Sequence, residues 1–531
     1  MRVATLLLVA VAVIIGAFWA WLGAAVPMPD NPVGRGEKLY CVSYAPFRGW
    51  QSPFDPNTRV TAAQIDDDLA RLSKISDCVR TYSIDEGIDQ VPAIAARHGM
   101  KVILGLWLSG KPDKNKYEVE TTIKIANENP GTVQAVVVGN EVLLRGELSA
   151  PDLANIIRSV KARVSVPVTY ADVWEFWLRN PSLADAVDFI TIHILPYWED
   201  FPVPASKAAD HVDAIRTRVA KAFPGKDILI GEVGWPSAGR MREGALPSPV
   251  NQAKVLQDVL IRAKRSHYNV NLIEAFDQPW KRLLEGTVGG HWGLLDSTTR
   301  EFKFTWGEPV SSHPYWRWQA AGGIVFAALI FLAAALTRRK TGTVSTWVGV
   351  AIIAVGGGAT IGWTIENIPL ESLGVGGWVR SLAQAVVAIA APLLAAWALR
   401  AEISMPRFSS ILAECALLRT RPLAFALGFV LIATTVLAAI AAVGLTFDPR
   451  YKDFPFAPLT GAVAPVFVLS LFGPRGAGVR GAAEIAAAAV LAVCAVYVVF
   501  NESFANWQSL WFCATLAALA LTLVRVRGER S

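Results

Sequence analysis

At 531 residues the chain is long enough for more than one domain. With 53% hydrophobic and only 18% charged residues, and a mean hydropathy of +0.38, it is too apolar to be water-soluble throughout. The formal charge of +6 is accounted for largely by basic connections and a basic tail in the apolar half, not by basic residues interleaved with aromatics, which argues against a nucleic-acid reader. Five cysteines with no CxxC pair and no His/Cys cluster leave a metal site without support, and no Gly-rich phosphate loop or other cofactor motif is present, so no cofactor is expected.

The chain opens with "MRVATLLLVAVAVIIGAFWAWLGAAVPMPD", in which one Arg precedes an apolar run that can cross a bilayer, since roughly 20 residues suffice. Small residues from Gly23 to Ala25 would permit signal cleavage. The run is longer than a signal core, so we read residues 1–36 as an uncleaved anchor. From residue 37 to 310 the composition is that of a globular protein, and short β-rich runs alternate with helical patterns. The runs are "LYCVSYAPF", "CVRTYS", "KVILGLWL", "VQAVVVGNEVLL", "VPVTYADVW", "VDFITIHILPYW", "DILIGEVGWPS" and "VNLIEAFDQPW". Alternation of this kind predicts βα units around a parallel sheet, and about eight of them close a (β/α)8 TIM barrel. Helix starts fall between the runs. "TAAQ" at 61 is a capping box followed by Ile65, Leu69, Leu72 and Ile75 on one face; "SAPD" at 149 precedes the stripe Leu153, Ile156, Ile157 and Val160; Ser248 caps a helix with Pro249 at its first position.

Residues 311–531 read as an all-α polytopic membrane domain. Seven apolar segments, about 318–336, 344–364, 378–399, 423–445, 457–473, 481–500 and 508–524, are each near the length of a spanning helix. Their connections alternate: "TRRK" at 337, "RTRP" at 419, "GPRGAGVR" at 473 and "RVRGER" at 525 are basic, whereas "IENIPLES", "FDPRYKDF" and "NESFANW" are acidic or mixed. The positive-inside rule puts the basic set, and with it the C-terminus, in the cytoplasm, and the polar domain outside. Cys415, Cys494 and Cys513 lie in or near these helices. Cys41 and Cys78 fall near the starts of strands one and two, where an exported domain permits a disulfide, with two buried free thiols as the other reading.

Two carboxylates stand out. Val136, Val137 and Val138 form a strand built to be dry, yet Gly139, Asn140 and Glu141 follow; on the seventh run Ile228 to Gly231 lead to Glu232. In a TIM barrel the strand ends form the mouth, so Glu141 and Glu232 are expected to face each other there, with Gly139, Gly231 and Gly234 letting the backbone approach a ligand. Paired carboxylates are what glycosidic bond chemistry needs, one protonated to expel the leaving oxygen and one ionised to attack. Aromatic residues gather at the same strand ends, among them Tyr44, Trp107, Trp174, Tyr197, Trp198, Trp235, Trp280 and Trp292, offering stacking faces to sugar rings or simply packing the loops. Tyr170 and Asp172 on strand five, and Glu175 after it, are candidates for sugar hydroxyls. His193, ending strand six, either tunes Glu232, binds substrate or is a hydrogen-bonded structural histidine.

At these residues the sequence resembles glycoside hydrolase family 17 over residues 38 to about 300. "VVVGNEVL" is similar to the family's acid/base motif, "IGEVGWPS" to its nucleophile motif, and "FDQPWK" with "HWGLLD" to its closing strand and loop. The resemblance implies Glu141 as general acid/base, Glu232 as nucleophile, Asn140 as the amide for the 2-hydroxyl, Lys281 and Trp292 at the substrate, and β-1,3-linked glucan as the substrate class. Gln278 departs from the plant members, which carry Glu there, and this bears on fine preference. Similar bacterial proteins with a membrane tail are associated with making or remodelling β-glucans. The expected function is therefore a membrane-anchored retaining transglycosylase acting outside the cytoplasm, with a β-1,3-glucanase as the first alternative. A glucan transporter is the second, for which the spans offer only Glu484 and Glu414 as intramembrane charges.

Overall fold

In the computed structural model, which describes residues 2–34, 36–337, 343–413, 420–474, 476 and 478–527, all eight β-rich runs become parallel strands that pair in sequence order and close on themselves. They are β1 (Cys41–Ser43), β2 (Cys78–Arg80), β3 (Lys101–Leu106), β4 (Val133–Asn140), β5 (Val168–Val173), β6 (Ile190–His193), β7 (Ile228–Val233) and β8 (Val270–Leu272). Side chains alternate across a strand. One set, including Val42, Val79, Leu104, Val136, Val138, Ile192, Ile230 and Leu272, joins the core shared with the helices. The other forms a separate small cluster of Cys41, Cys78, Ile103, Val137, Ala171 and Leu229. The remaining inner positions are polar and satisfy one another: Asn271 Nδ2 donates to Ser43 Oγ at 2.8 Å and to the Gly231 carbonyl at 2.7 Å, and the Thr169 and Thr191 hydroxyls bond at 2.9 Å.

The register pairs Val42 with Val79, so Cys41 and Cys78 lie level on neighbouring strands, and they are joined by a disulfide with a Cα separation of 4.4 Å. Replacing both with Ala is expected to cost about 2–4 kcal/mol of stability, read as a lower melting midpoint of the purified protein. An unchanged midpoint would show that the bond contributes nothing measurable.

The helix Ala62–Leu72 is capped by Thr61, whose side chain accepts from the Gln64 amide at 3.2 Å. The expected capping box is half made. The Gln64 side chain turns instead to the Pro46 carbonyl and Gln51, bracing the loop after β1, and Ile75 lies past the helix end. Ser149 and Ser248 cap the helices Ala150–Lys161 and Pro249–Ser266 by accepting from Asp152 N and Asn251 N. Leu153, Ile157 and Val160 are buried, while Ile156 is half-buried.

Contacts divide the chain into two units, the barrel (Val26–Ala238 and Gly244–Val310) and a helical unit (Met1–Ala25, Gly239–Glu243 and Ser311–Ser531). Among the described residues the helical unit contains seven helices long and apolar enough to cross a membrane: Arg2–Leu22, Trp316–Ala335, Val344–Glu371, Gly374–Ala401, Pro422–Phe447, Ala482–Glu502 and Trp507–Arg525. The segment expected at 457–473 forms the shorter helix Phe456–Phe472, 17 residues or about 25 Å at 1.5 Å per residue. A further short helix, Phe408–Ala413, was not expected from hydropathy. A Cβ at Gly323 would come within 2.2 Å of the Gly358 carbonyl, so the glycines allow Trp316–Ala335 and Val344–Glu371 to touch along their backbones.

The short segment Gly239–Glu243 is bound into the helical unit by a buried polar network. Arg240 Nη2 meets Glu502 Oε1 at 2.5 Å, Asn506 Nδ2 donates to Glu502 Oε2 and to the Met241 carbonyl, and Gln508 Oε1 accepts from Met241 N. Glu484 is buried and accepts from Phe408 N at 2.6 Å. Cys494 and Cys513 are buried free thiols. Glu414, Cys415 and most of the "TRRK" connection lie outside the described residues.

Candidate active site

The site is built where three strand pairs lose their register. β4 slips against β5 between Val137 and Asn140, β6 against β7 between Ile192 and His193, and β7 against β8 between Ile230 and Val233. Irregularities of this kind re-aim side chains beside active sites. β4 ends at Asn140, and Glu141 is the first residue beyond it. Gly139 sits at φ +88°, a conformation suited to glycine, and Glu141 itself is left-handed at φ +52°, held there by its N–H to the Ala171 carbonyl at 2.8 Å. The slip on β6 sets His193 opposite Glu232.

The result is a compact constellation. His193 Nδ1 lies 2.8 Å from Glu141 Oε1, and its Nε2 lies 3.6 Å from Glu232 Oε1. Ligand atoms of all three side chains fall within 4.8 Å of one another. Tyr82 donates its hydroxyl to Glu232 Oε1 at 2.8 Å and Arg80 Nη1 reaches the same oxygen at 3.2 Å. The Arg80 guanidinium is wholly buried; it also donates to the Gly231 carbonyl at 2.7 Å and to Asn140 Oδ1 at 2.5 Å. Glu141 keeps 23% of its side chain exposed and Glu232 only 6%.

Electrostatics separates the two carboxyls. Burial pushes the Glu141 carboxyl up, but the His193 contact and the charges of His193, Arg145 and Arg80 more than offset it, so the net direction is down. Burial and the Glu232 charge raise the Tyr82 phenol far above its usual value, which keeps it a donor. Burial lifts Asp172 to about 6, with Glu141 adding to the rise. The arrangement can therefore present one donor-held carboxylate and one partly exposed carboxyl to opposite sides of a bond. The spacing of Glu141, His193 and Glu232 is also short enough for a cation, but the Arg80 guanidinium already supplies positive charge at Glu232, and we do not read the three as metal ligands.

The other sequence candidates are mostly committed inside the protein. Tyr44 is buried and donates to Asp68 at 3.0 Å. Tyr170 is buried, bonded to Asp172 and accepting from Leu143 N; Asp172 is also fixed by Val173 N. Tyr197, Trp235 and Trp292 pack on one another, and Trp235 Nε1 donates to the Leu246 carbonyl. Gln278 is buried, with its amide on the Ala45 carbonyl and its oxygen accepting from Trp280. Lys281 pairs at 2.8 Å with Glu274, a carboxyl that burial lifts to about 7 against the pull of that lysine. Asn140 does join the constellation, through Arg80.

At Gly231 and Gly234 the protein itself approaches closely. A Cβ on Gly231 would lie 2.3 Å from Thr191 Cγ2, and one on Gly234 would lie 2.4 Å from the Ile273 carbonyl. Gly231→Ala is expected to destabilise by about 1–3 kcal/mol, measured by thermal denaturation; a neutral result would mean that Thr191 can swing aside. Arg80 and Tyr82 escaped the sequence reading. The signal was present in "CVRTYS", since an arginine on a barrel strand needs a buried anion.

Residues 41–293 match the model of the BtgE/BtgC glycoside hydrolase domain. A glucan 1,3-β-glucosidase of Candida albicans is 28% identical over 269 residues, covering 46% of this chain and 86% of that protein. One from Saccharomyces cerevisiae is 26% identical over 256 residues, covering 44% and 81%. The crystal structure of a glycoside hydrolase family 17 β-1,3-glucanosyltransferase from Rhizomucor miehei is 30% identical and covers 50% of this chain and 97% of that one, with a TM-score of 0.45. The sequence identity, extending over most of these relatives and over the strands that carry Glu141 and Glu232, places the chain, through its barrel, in glycoside hydrolase family 17.

Proposed function

We propose that this chain is a retaining enzyme of β-1,3-glucan, a glucanosyltransferase held in a membrane, with Glu232 as nucleophile and Glu141 as acid/base. The observation that carries the reading is the approach of the two carboxyls to within 4.8 Å, joined by His193. That is close to the spacing of about 5–5.5 Å that suits direct attack by a carboxylate, and short of the roughly 6.5–9.5 Å that separates a pair activating a water for inversion. Glu232 attacks the anomeric carbon as Glu141 protonates the leaving oxygen; Glu141 then takes a proton from the incoming hydroxyl as the ester breaks. The substrate class is supported by relatives whose names specify glucan 1,3-β-glucosidase or β-1,3-glucanosyltransferase. Those same glucosidase names favour hydrolysis as the second reading. Incubating the detergent-purified protein with linear β-1,3-gluco-oligosaccharides and weighing the products separates them: products longer than the substrate are expected, and only shorter ones would make it a hydrolase.

We further infer that the barrel lies outside the cytoplasm. The anchor and seven later segments make eight spans if Phe456–Phe472 crosses, returning both ends to one side, and the basic tail assigns that side to the cytoplasm. The Cys41–Cys78 disulfide suits an oxidising compartment. A reporter active only outside the membrane should work when fused after Ser311 and fail at the C-terminus; the reverse pattern would separate the enzyme from external glucan. A transporter reading gains little, since the buried Glu484 is already engaged by a backbone amide.

A further inference from the structure

We propose that His193 is the charge pivot of the reaction, a positioning residue whose single imidazole balances whichever of Glu141 and Glu232 is ionised. The proposal rests on the acid/base and nucleophile assignments above. It begins from geometry: the His193 side chain has no exposed surface, its Nδ1 is 2.8 Å from Glu141 Oε1, and its Nε2 is 3.6 Å from Glu232 Oε1 and 3.4 Å from Arg80 Nη1. One ring therefore stands against both reacting groups.

The reaction moves one negative charge from one side of that ring to the other. In the first step Glu232 forms its bond to the anomeric carbon and loses its charge to the ester. The bond to the leaving oxygen breaks, and that oxygen takes the proton of Glu141, which becomes the carboxylate. In the second step the incoming hydroxyl gives its proton to Glu141, its oxygen bonds to the anomeric carbon, and Glu232 leaves as the anion. Throughout, one of the two carboxyls is ionised and one is not, and the charged one is always within 3.6 Å of the imidazole. The ring thus has an anionic neighbour in both states of the reaction.

The charged and titratable groups that face the ring are few. Arg80 comes from β2, Glu141 from just beyond β4, Asp172 from β5 and Glu232 from β7, with Tyr82 beyond β2 and Arg145 beyond β4 acting through the two glutamates. A cation at Nδ1 makes Glu141 a stronger acid, which agrees with the downward direction of its carboxyl. The chemical consequence is an acidic working range: the first step needs protonated Glu141, so turnover falls as pH rises through its lowered value.

His193→Asn tests this, because the amide can keep a donor near Glu141 but carries no charge, while His193→Ala removes both donor and charge. With linear β-1,3-gluco-oligosaccharides and the full chain in detergent, both variants should move the alkaline limb of kcat/KM upward by about one to three pH units. A uniform loss of rate with the limb in place, or an Asn variant whose limb matches the native protein, would overturn the proposal and leave His193 a structural brace. A second measurement needs no turnover. In pH-difference infrared spectra, the carboxylic-acid C=O band that disappears in Glu141→Gln should titrate at higher pH in His193→Asn. An unmoved band would overturn the pivot. A shifted band in a protein inert toward these oligosaccharides would instead uphold the pivot and remove the assigned substrate.

Discussion

Glu232→Gln is expected to lower turnover by about 10⁴-fold or more while the protein melts close to its native temperature. The amide is nearly isosteric and still offers an oxygen to the Tyr82 hydroxyl and to Arg80, so the buried donors keep an acceptor. It cannot form the glycosyl ester, so the covalent route is closed. Mass spectrometry of the native protein quenched with a slow fluorinated glycoside should find the sugar on the peptide containing "IGEVGWPS". Residual turnover within tenfold of native, or label on another peptide, would take the nucleophile role away from Glu232.

Removing Glu141 is expected to discriminate between substrates. Glu141→Ala should slow oligosaccharide turnover by about 10²–10⁴-fold, the usual contribution of a general acid, but spare substrates whose leaving groups need little protonation. Azide should then restore the second step on an aryl glucoside and appear in the product as a glycosyl azide, because a small anion fits the space left by the side chain and needs no base. Equal collapse on both substrates without azide rescue would show that Glu141 does something other than move a proton.

Why these two residues were legible while their neighbours were not is a matter of what sequence encodes locally. Glu141 and Glu232 each interrupt a run of β-branched or aliphatic residues, so the cost of placing a carboxylate there is visible in the string itself. The eight strands, short β-rich runs with capped helices between them, were legible for the same reason. Arg80 and Tyr82 act across the barrel on a residue about 150 positions away, and nothing near them announces the partner. The aromatic candidates pose a different problem. Tyr44, Tyr197, Trp235 and Trp292 lie at or beyond the strand ends, but whether a ring there faces substrate or folds back onto its neighbours depends on loop conformation, and here they fold back. The long apolar helices were read to within a few residues except at their polar ends, where Val344–Glu371 runs on through Glu366 and Glu371 beyond the apolar stretch.

The Arg240–Glu502 network has a bearing on how the chain is made. A ribosome delivers Arg240 long before Glu502, Asn506 and Gln508, which arrive some 260 residues later. Until the last two helices have been synthesised and folded, the segment that follows the β7 strand cannot close its buried contacts with them. Completion of the helical unit is thus registered in a loop that begins six residues after Val233. A nascent chain halted before its final helices would hold that loop without the partners Glu502, Asn506 and Gln508 supply.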